Sequence, residues 1–204
     1  MINITLMQSP KNLYMVKKET KPIDMVVEIP KNSVNKYEYD IISKKWKLDR
    51  VLSGAMHYPE EYGSIPETLD YDGDPLDVIC LTIHPVDFPC DVPIRIIGVL
   101  KMIDGGEEDY KILAVNAAEP RLNNINSLTD VGEEKLAEIE NFFLRYKELE
   151  KKAEAKKKVI IEGWDNEAEA KNTLKKCQKL YQKYQKKINQ GISKKELVKL
   201  LKKQ

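Results

Sequence analysis

The chain has 204 residues and a net charge of +1, with 34 basic and 33 acidic side chains. This length can bury one substantial core, and no linker divides it into two folded halves. No run approaches the roughly 20 apolar residues of a membrane span, and residues 1–20 lack the pattern of a secretory leader. These features argue against a membrane-embedded protein and predict a cytoplasmic one.

Strand-forming residues bounded by Pro, Gly, Asn or Asp dominate the first part of the chain. The predicted strands are Met25–Ile29, Tyr37–Ile42, Trp46–Leu52, Val78–Ile83, Ile94–Met102 and Lys111–Val115, with a further short strand at Val159–Ile161.

The second part of the chain has helical periodicity. Apolar residues recur at helical spacing from Gly132 to Leu149 and again from Ala168 to Gly191, which predicts two amphipathic helices. Because strands come first and helices follow, we predict an α+β fold.

A short third helix is predicted near the C-terminus. Ser193 and Glu196 form a capping-box pattern, which is typical of a helix start. The residues that follow include three leucines at helical spacing, Leu197, Leu200 and Leu201, which predict that this helix packs against the rest of the protein.

The three cysteines are odd in number and irregularly spaced, which argues against a disulfide framework. Cys80, His84 and Cys90 lack a fourth partner and a finger-like spacing, so a zinc site is not expected. We expect Cys80, Cys90 and Cys177 to fill the core.

Four aspartates fall within eight residues, just before the apolar run that begins at Val78. Gly73 and Pro75 predict a tight turn here. Carboxylates held this close repel one another unless a cation compensates, and Mg²⁺ and Mn²⁺ prefer oxygen ligands. We call residues 70–77 the acidic turn, and its acids are Asp70, Asp72, Asp74 and Asp77.

The acidic turn has two other interpretations. An isolated Asp-rich turn is usually an ordinary surface turn. An EF-hand loop is excluded, because the sixth position from Asp70 is Pro75 where glycine is needed, and the twelfth is Leu81 where glutamate is needed. A metal site is therefore favoured only if other acids and bases accompany the turn.

Such residues lie on both sides of the turn. The blocks are Glu28-Ile29-Pro30, Lys36-Tyr37-Glu38, Leu48-Asp49-Arg50, Tyr58–Gly63, Lys101–Lys111 and Phe142–Lys147. Together with the run from Asp72 to Val78, they resemble the family I soluble inorganic pyrophosphatases of bacterial type, from about residue 24 to about residue 166.

The resemblance implies both a fold and an activity. The implied fold is a small distorted OB-like β-barrel flanked by two C-terminal helices, to which this chain adds a short extra helix. The implied activity is hydrolysis of the phosphoric anhydride pyrophosphate by metal-activated water.

The resemblance also assigns roles to individual acids. It implies that Asp74, between two ligand acids, is the general base. It implies that several Mg²⁺ ions, with Mn²⁺ as a possible substitute, are held by Glu28, Asp72, Asp77, Asp104 and Asp109.

Basic and phenolic side chains receive roles in the same way. The resemblance implies further catalytic roles for Arg50, Tyr62 and Lys147, and a supporting role for the acid Glu38. The implied substrate-binding residues are Lys36, Arg50, Tyr62, Lys111, Tyr146 and Lys147.

Taken singly, these residues have simpler explanations. A lysine or arginine in a chain that is 33% charged usually lies on a solvated surface. Tyr146 lies on the apolar stripe of its helix, where core packing is the ordinary role. Only the family pattern assigns these side chains to a site.

The C-terminal segment is strongly basic. Residues 171–204 contain twelve lysines and one acid, a net charge of +11, which leaves −10 on residues 1–170. We predict a single pyrophosphatase domain at residues 1–185 and a Lys-rich helical extension at residues 186–204. The lysines fit a solvated helical face, and contact with a polyanion or an acidic membrane surface is the alternative. Because all proposed site residues lie between Glu28 and Lys147, removal of residues 190–204, most of the extension, is expected to leave hydrolysis nearly unchanged.

A second function, an OB-like nucleic-acid-binding module with a basic tail, remains open. Such modules need aromatic stacking platforms along a basic groove, whereas the barrel region here is acidic. The resemblance implies a homo-oligomer, and by length the chain is nearer the short bacterial hexamers than the longer eukaryotic dimers. Some hexameric members carry histidines near the positions of Asn141 and Arg145, so that part of the subunit contact is not expected here.

Overall fold

The structure is a computed structural model that describes residues 23–149 and 158–202. Its strands are β1 (Ile23–Ile29), β2 (Asn35–Asp40), β3 (Lys45–Val51), β4 (Glu61–Ser64), β5 (Asp77–Leu81), β6 (Cys90–Asp104), β7 (Glu107–Glu108), β8 (Lys111–Asn116) and β9 (Val159–Asn166). Its helices are α1 (Leu128–Val131), α2 (Glu133–Arg145), α3 (Glu167–Asn189) and α4 (Lys194–Leu201), with a 3-10 turn at Pro120–Leu122. The expectation about a secretory leader concerns residues outside the described ranges.

Five strands close into a ring. β1 pairs antiparallel with both β4 and β6, β4 pairs with β5, β5 runs parallel to β8, and β8 returns antiparallel to β6. This ring is the five-stranded barrel of an OB-like fold. β9 extends the sheet beside β6, and β2 and β3 form a separate hairpin. The predicted α+β class and OB-like barrel are confirmed.

β5 is buried on both faces and therefore joins two parts of the core. Val78 and Cys80 pack in a cluster that includes Cys177 of α3. Ile79 and Leu81 point the other way, because successive side chains of a strand alternate, and they join the cluster that contains α2. Helices thus cover the barrel on two sides, and the acidic turn lies at the start of β5.

The structure differs from the sequence predictions in several places. β4, β7, α1 and the 3-10 turn were not predicted, and α2 ends at Arg145 rather than near Leu149. The prediction that Cys90 fills the core is wrong, because this residue is exposed at the start of β6, whereas Cys80 and Cys177 are buried.

β4 was missed because it is short and contains Gly63, a residue that weakens strand patterns. The glycine is required by close strand packing. A methyl group added at Gly63 would lie 1.9 Å from the backbone oxygen of Val26 on β1.

α4 packs on the body of the protein, as its sequence pattern predicts. The capping box forms, with the Ser193 Oγ accepting from the Glu196 backbone N–H at 3.3 Å. Leu197 and Leu201 are buried together with α3 and with Leu69, which lies just before the acidic turn. None of the helices in the described ranges combines the length and apolar composition that crossing a bilayer requires.

Replacing Leu197 by alanine should destabilise the protein. Leu197 has no exposed surface, and truncation of a buried leucine costs about 2–5 kcal/mol of unfolding free energy. Denaturant unfolding of Leu197→Ala measures this loss, and Leu200→Ala, at a half-buried neighbour, is the control with a smaller expected loss. Equal stability of Leu197→Ala and the parent protein would contradict the packing of α4.

Candidate active site

A pocket opens where the β2–β3 hairpin, the acidic turn and the segment between β6 and β8 meet. Its lining comes from positions as far apart as residues 28 and 147, so only tertiary folding assembles it. The predicted site residues that line it are Glu28, Lys36, Glu38, Tyr62, Asp72, Asp74, Asp77, Asp104, Asp109, Lys111, Tyr146 and Lys147.

All predicted site residues lie in the described part of the chain, and among them Arg50 alone does not line this pocket. It lies on β3, directly opposite Lys36 on β2. Its Nε donates to Asp49 Oδ2 at 2.5 Å, and the Lys36 Nζ lies 3.7 Å from the same oxygen. Asp49 therefore links Arg50 to a lysine of the pocket wall.

Lys111 is a buried cation of the site. The parallel pairing of β5 and β8 brings it near Asp77, and its Nζ donates to Asp77 Oδ2 at 2.7 Å and to Asp109 Oδ1 at 2.8 Å. The hydroxyl of Tyr62 donates to the same oxygen of Asp77. Burial disfavours the charge on Lys111, but Asp109 and Asp77 outweigh burial and raise the pKa of Lys111. The lysine therefore stays charged.

The residues that follow α2 form another wall of the pocket. Lys147 Nζ donates to Asp104 Oδ2 and lies over the ring of Tyr146, 5.1 Å from its centroid. The Tyr146 ring stacks on Phe142 at 5.1 Å between centroids. Tyr146 therefore packs against the core, as its position on the apolar stripe indicates, and also faces the pocket.

Glu28 lies on β1 and is almost completely buried. Ser64 Oγ donates to Glu28 Oε1 at 2.5 Å. Burial raises the pKa of Glu28 to about 8, although the bond from Ser64 acts against the shift. Glu28 is therefore mostly protonated at neutral pH.

The acidic turn is closed by its own backbone. The Asp70 N–H donates to the Asp74 carbonyl at 2.7 Å, and the Gly73 N–H donates to the Asp70 carbonyl at 3.0 Å. Gly73 has a φ of +88°, a conformation that favours glycine. The turn therefore holds its carboxylates in one compact arrangement.

This arrangement raises the pKa values of three acids of the turn, Asp70, Asp72 and Asp74, in each case chiefly because burial disfavours the charged form. Desolvation raises the pKa of Asp70 to about 6. Asp72 is partly open to solvent, but neighbouring protein atoms limit the hydration of its carboxylate. This desolvation, followed by repulsion from Asp74, raises the pKa of Asp72 well above its usual value.

The chemistry of the donor set fits a hard divalent cation. The pocket offers carboxylate oxygens, and the raised pKa values of Glu28 and Asp72 reflect a cost that a cation would remove. Within residues 23–149 and 158–202, no three His, Cys, Asp or Glu side chains stand close enough to enclose an ion. Ammonium groups balance the acids instead, with Lys111 on both Asp77 and Asp109.

Comparison with known proteins decides the family. A sequence model of the family described as inorganic pyrophosphatase matches residues 25–182. The chain belongs to the inorganic pyrophosphatase family. Members are diphosphatases, so the protein is an enzyme of this class. The match to the family ends within α3, and α4 lies beyond it.

Individual inorganic pyrophosphatases agree with this assignment. The protein from Halalkalibacterium halodurans is 50% identical over 66% of this chain and 82% of its own length. The protein from Ureaplasma parvum is 43% identical over 79% of this chain and 87% of its own. The crystal structure of the pyrophosphatase from Thermus thermophilus has a TM-score of 0.75 at 41% identity, covering 81% of this chain and 94% of that one. The bacterial type predicted from the sequence is confirmed.

Several residues near the site received no role from the sequence, among them Asp49, Asp70, Ser64 and Lys194. Asp49 and Asp70 are close in sequence to predicted site residues, so their positions could have indicated that they lie near the site. Ser64, which bonds Glu28, and Lys194 of α4, which donates to Asp74, reach the site only through tertiary folding.

Proposed function

We propose that this pyrophosphatase-family chain hydrolyses inorganic pyrophosphate to two phosphates, using several Mg²⁺ ions, with Mn²⁺ as a possible substitute. The observation that carries the proposal is one pocket in which carboxylates face Lys36, Lys111 and Lys147. When bound, Mg²⁺ would neutralise phosphate oxygens and lower the pKa of the attacking water. The metal-binding residues would be Glu28, Asp72, Asp77, Asp104 and Asp109.

Asp74 is the proposed general base. Its carboxylate lines the pocket together with those of Asp72 and Asp77, its neighbours in the acidic turn. It would take a proton from the attacking water as the water oxygen bonds to one phosphorus and the bridging P–O bond breaks. The bridging oxygen leaves with the second phosphate.

The cationic side chains would hold the phosphates. Lys36 and Lys147 can donate to phosphate oxygens, and Lys111 is fixed by its two carboxylates. Tyr62 and Tyr146 can donate hydroxyl hydrogen bonds to the leaving phosphate as its charge develops. Arg50 would act from beside the pocket, where Asp49 links it to Lys36.

Binding of Mg²⁺ should release protons at pH 7. The pKa of Glu28 is raised to about 8, so its proton is present below that pH and must leave when the carboxylate binds a cation. Calorimetry in two buffers of different ionisation enthalpy measures the protons released, and Glu28→Gln should release fewer. The control is Glu162→Gln, which changes an exposed acid. Equal release from Glu28→Gln and the parent protein would contradict a role for Glu28 at the metal.

One pair of measurements distinguishes pyrophosphate hydrolysis from the alternative function, a nucleic-acid-binding module. Hydrolysis predicts phosphate release from pyrophosphate when Mg²⁺ is present. The module predicts a salt-dependent gel shift of single-stranded nucleic acid without phosphate release. The acidic pocket favours hydrolysis, because its carboxylates would repel a nucleic-acid backbone.

The remaining proposals rest on the resemblance to short bacterial pyrophosphatases. The protein would be cytoplasmic, would carry its catalytic domain in residues 1–185 and its extension in residues 186–204, and would form a homo-oligomer, a hexamer by analogy. Sedimentation of the purified protein measures the assembly. Failure to form a hexamer would leave the proposed chemistry intact, since every proposed site residue lies within one chain.

A further inference from the structure

The first turn of α4 contacts the acidic turn. The Lys194 Nζ donates to Asp74 Oδ2. A methyl group added at Gly73 would lie 3.0 Å from Val198 Cγ2 and 3.4 Å from Lys194 Cγ. The helix therefore packs directly on the backbone that carries the proposed base.

The other end of α4 reaches a second acidic segment. Lys202, which caps α4, donates to Glu107 Oε1 on β7. β7 lies between Asp104 and Asp109, two of the proposed metal-binding residues. A helix of eight residues is about 12 Å long, so α4 spans the distance between the two segments.

The body of the helix is anchored between these two contacts. Leu197 and Leu201 have almost no exposed surface and pack with Leu69 and with α3. Because apolar burial fixes the helix, it also fixes the backbone positions of Lys194 and Lys202 relative to the carboxylates that they contact.

Lys194 contacts Asp74 but does not itself line the pocket. Asp74 and Pro75 line the pocket, and in the described part of the chain no residue of α4 does so. This placement favours support of the carboxylate over obstruction of the site.

We propose that α4 is a brace for the active site, and that Lys194 is a positioning residue that orients the Asp74 carboxylate. The brace lies beyond residues 25–182, the part of the chain that matches the family. It replaces the sequence-based expectation that removing most of the extension leaves hydrolysis nearly unchanged. The inference rests on the proposed function, because positioning of Asp74 matters only if Asp74 is the base.

The kinetic test replaces Lys194 by methionine in the full-length protein. We expect kcat for pyrophosphate to fall about three- to fivefold, the upper part of the range that an exposed ion pair supports, with KM nearly unchanged. Lys194→Arg should restore most of kcat. Lys195→Met, at the exposed neighbour, removes the same charge without the Asp74 contact and should keep the parent rate.

A double-mutant cycle shows whether Lys194 acts through Asp74. In the Asp74→Asn background, Lys194→Met should produce no further loss of kcat, because the partner carboxylate is gone. The same three- to fivefold loss in both backgrounds would overturn the proposal. So would equal losses in Lys194→Met and Lys195→Met, or a rise in kcat, which would mean obstruction.

Hydrogen exchange gives a readout that does not depend on activity. The Asp70 and Gly73 amides are bonded within the acidic turn and should exchange faster in Lys194→Met than in Lys195→Met. Equal exchange in the two variants would overturn the brace. Failure of the proposed function is recognised separately, as absence of phosphate release from the parent protein.

Discussion

Asp74→Asn is expected to lower kcat for pyrophosphate hydrolysis by about 10²-fold or more, the loss typical of a positioned general base. The amide keeps the size of the side chain but cannot take a proton from water. Mg²⁺ affinity, measured by calorimetry, should be largely retained, because Asp72 and Asp77 remain. Steady-state phosphate release measures the change in kcat.

The control for this variant is Asp87→Asn, which removes one exposed acid outside the pocket. It should hydrolyse pyrophosphate at the parent rate. Near-normal turnover of Asp74→Asn would show that another group takes the proton, and the acidic turn would then act only in binding.

Replacing Mg²⁺ by Ca²⁺ should allow binding of pyrophosphate but reduce its hydrolysis by about 10²-fold or more, as expected when transition-state charge stabilisation and activation of water are both impaired. Bonds from Ca²⁺ to oxygen are longer than those from Mg²⁺, and its coordination is looser. The lysines and Asp74 would then face a substrate held in the wrong geometry.

The Ca²⁺ prediction is checked by measuring phosphate release and pyrophosphate binding in parallel. Added to the Mg²⁺-loaded enzyme, Ca²⁺ should inhibit by competition for the same carboxylates. Comparable rates with the two ions would count against a site whose chemistry depends on the geometry of the cation.

The sequence predicted most of the residues that line the pocket because they come in short, ordered blocks. The acidic turn combines Gly73, which has a positive φ, with aspartates on either side. Its position before β5 follows from the apolar run that starts at Val78. Local chemistry and local backbone preference therefore agree in this segment.

Contacts between distant segments could not be predicted in the same way. Ser64 meets Glu28 because β4 pairs with β1, and β4 itself gives a weak strand pattern. Lys194 looks like one more lysine in a basic tail, and its contact with Asp74 spans 120 positions. The leucines of α4 predicted that the helix packs, but not the surface on which it packs.

Phosphate release by the purified protein shows whether this pocket hydrolyses pyrophosphate with a divalent cation. We expect two phosphates per pyrophosphate with Mg²⁺ present, loss of release after chelation, and recovery when Mg²⁺ is restored. A properly folded protein that releases no phosphate with Mg²⁺, or releases it equally well after chelation, would rule out this function.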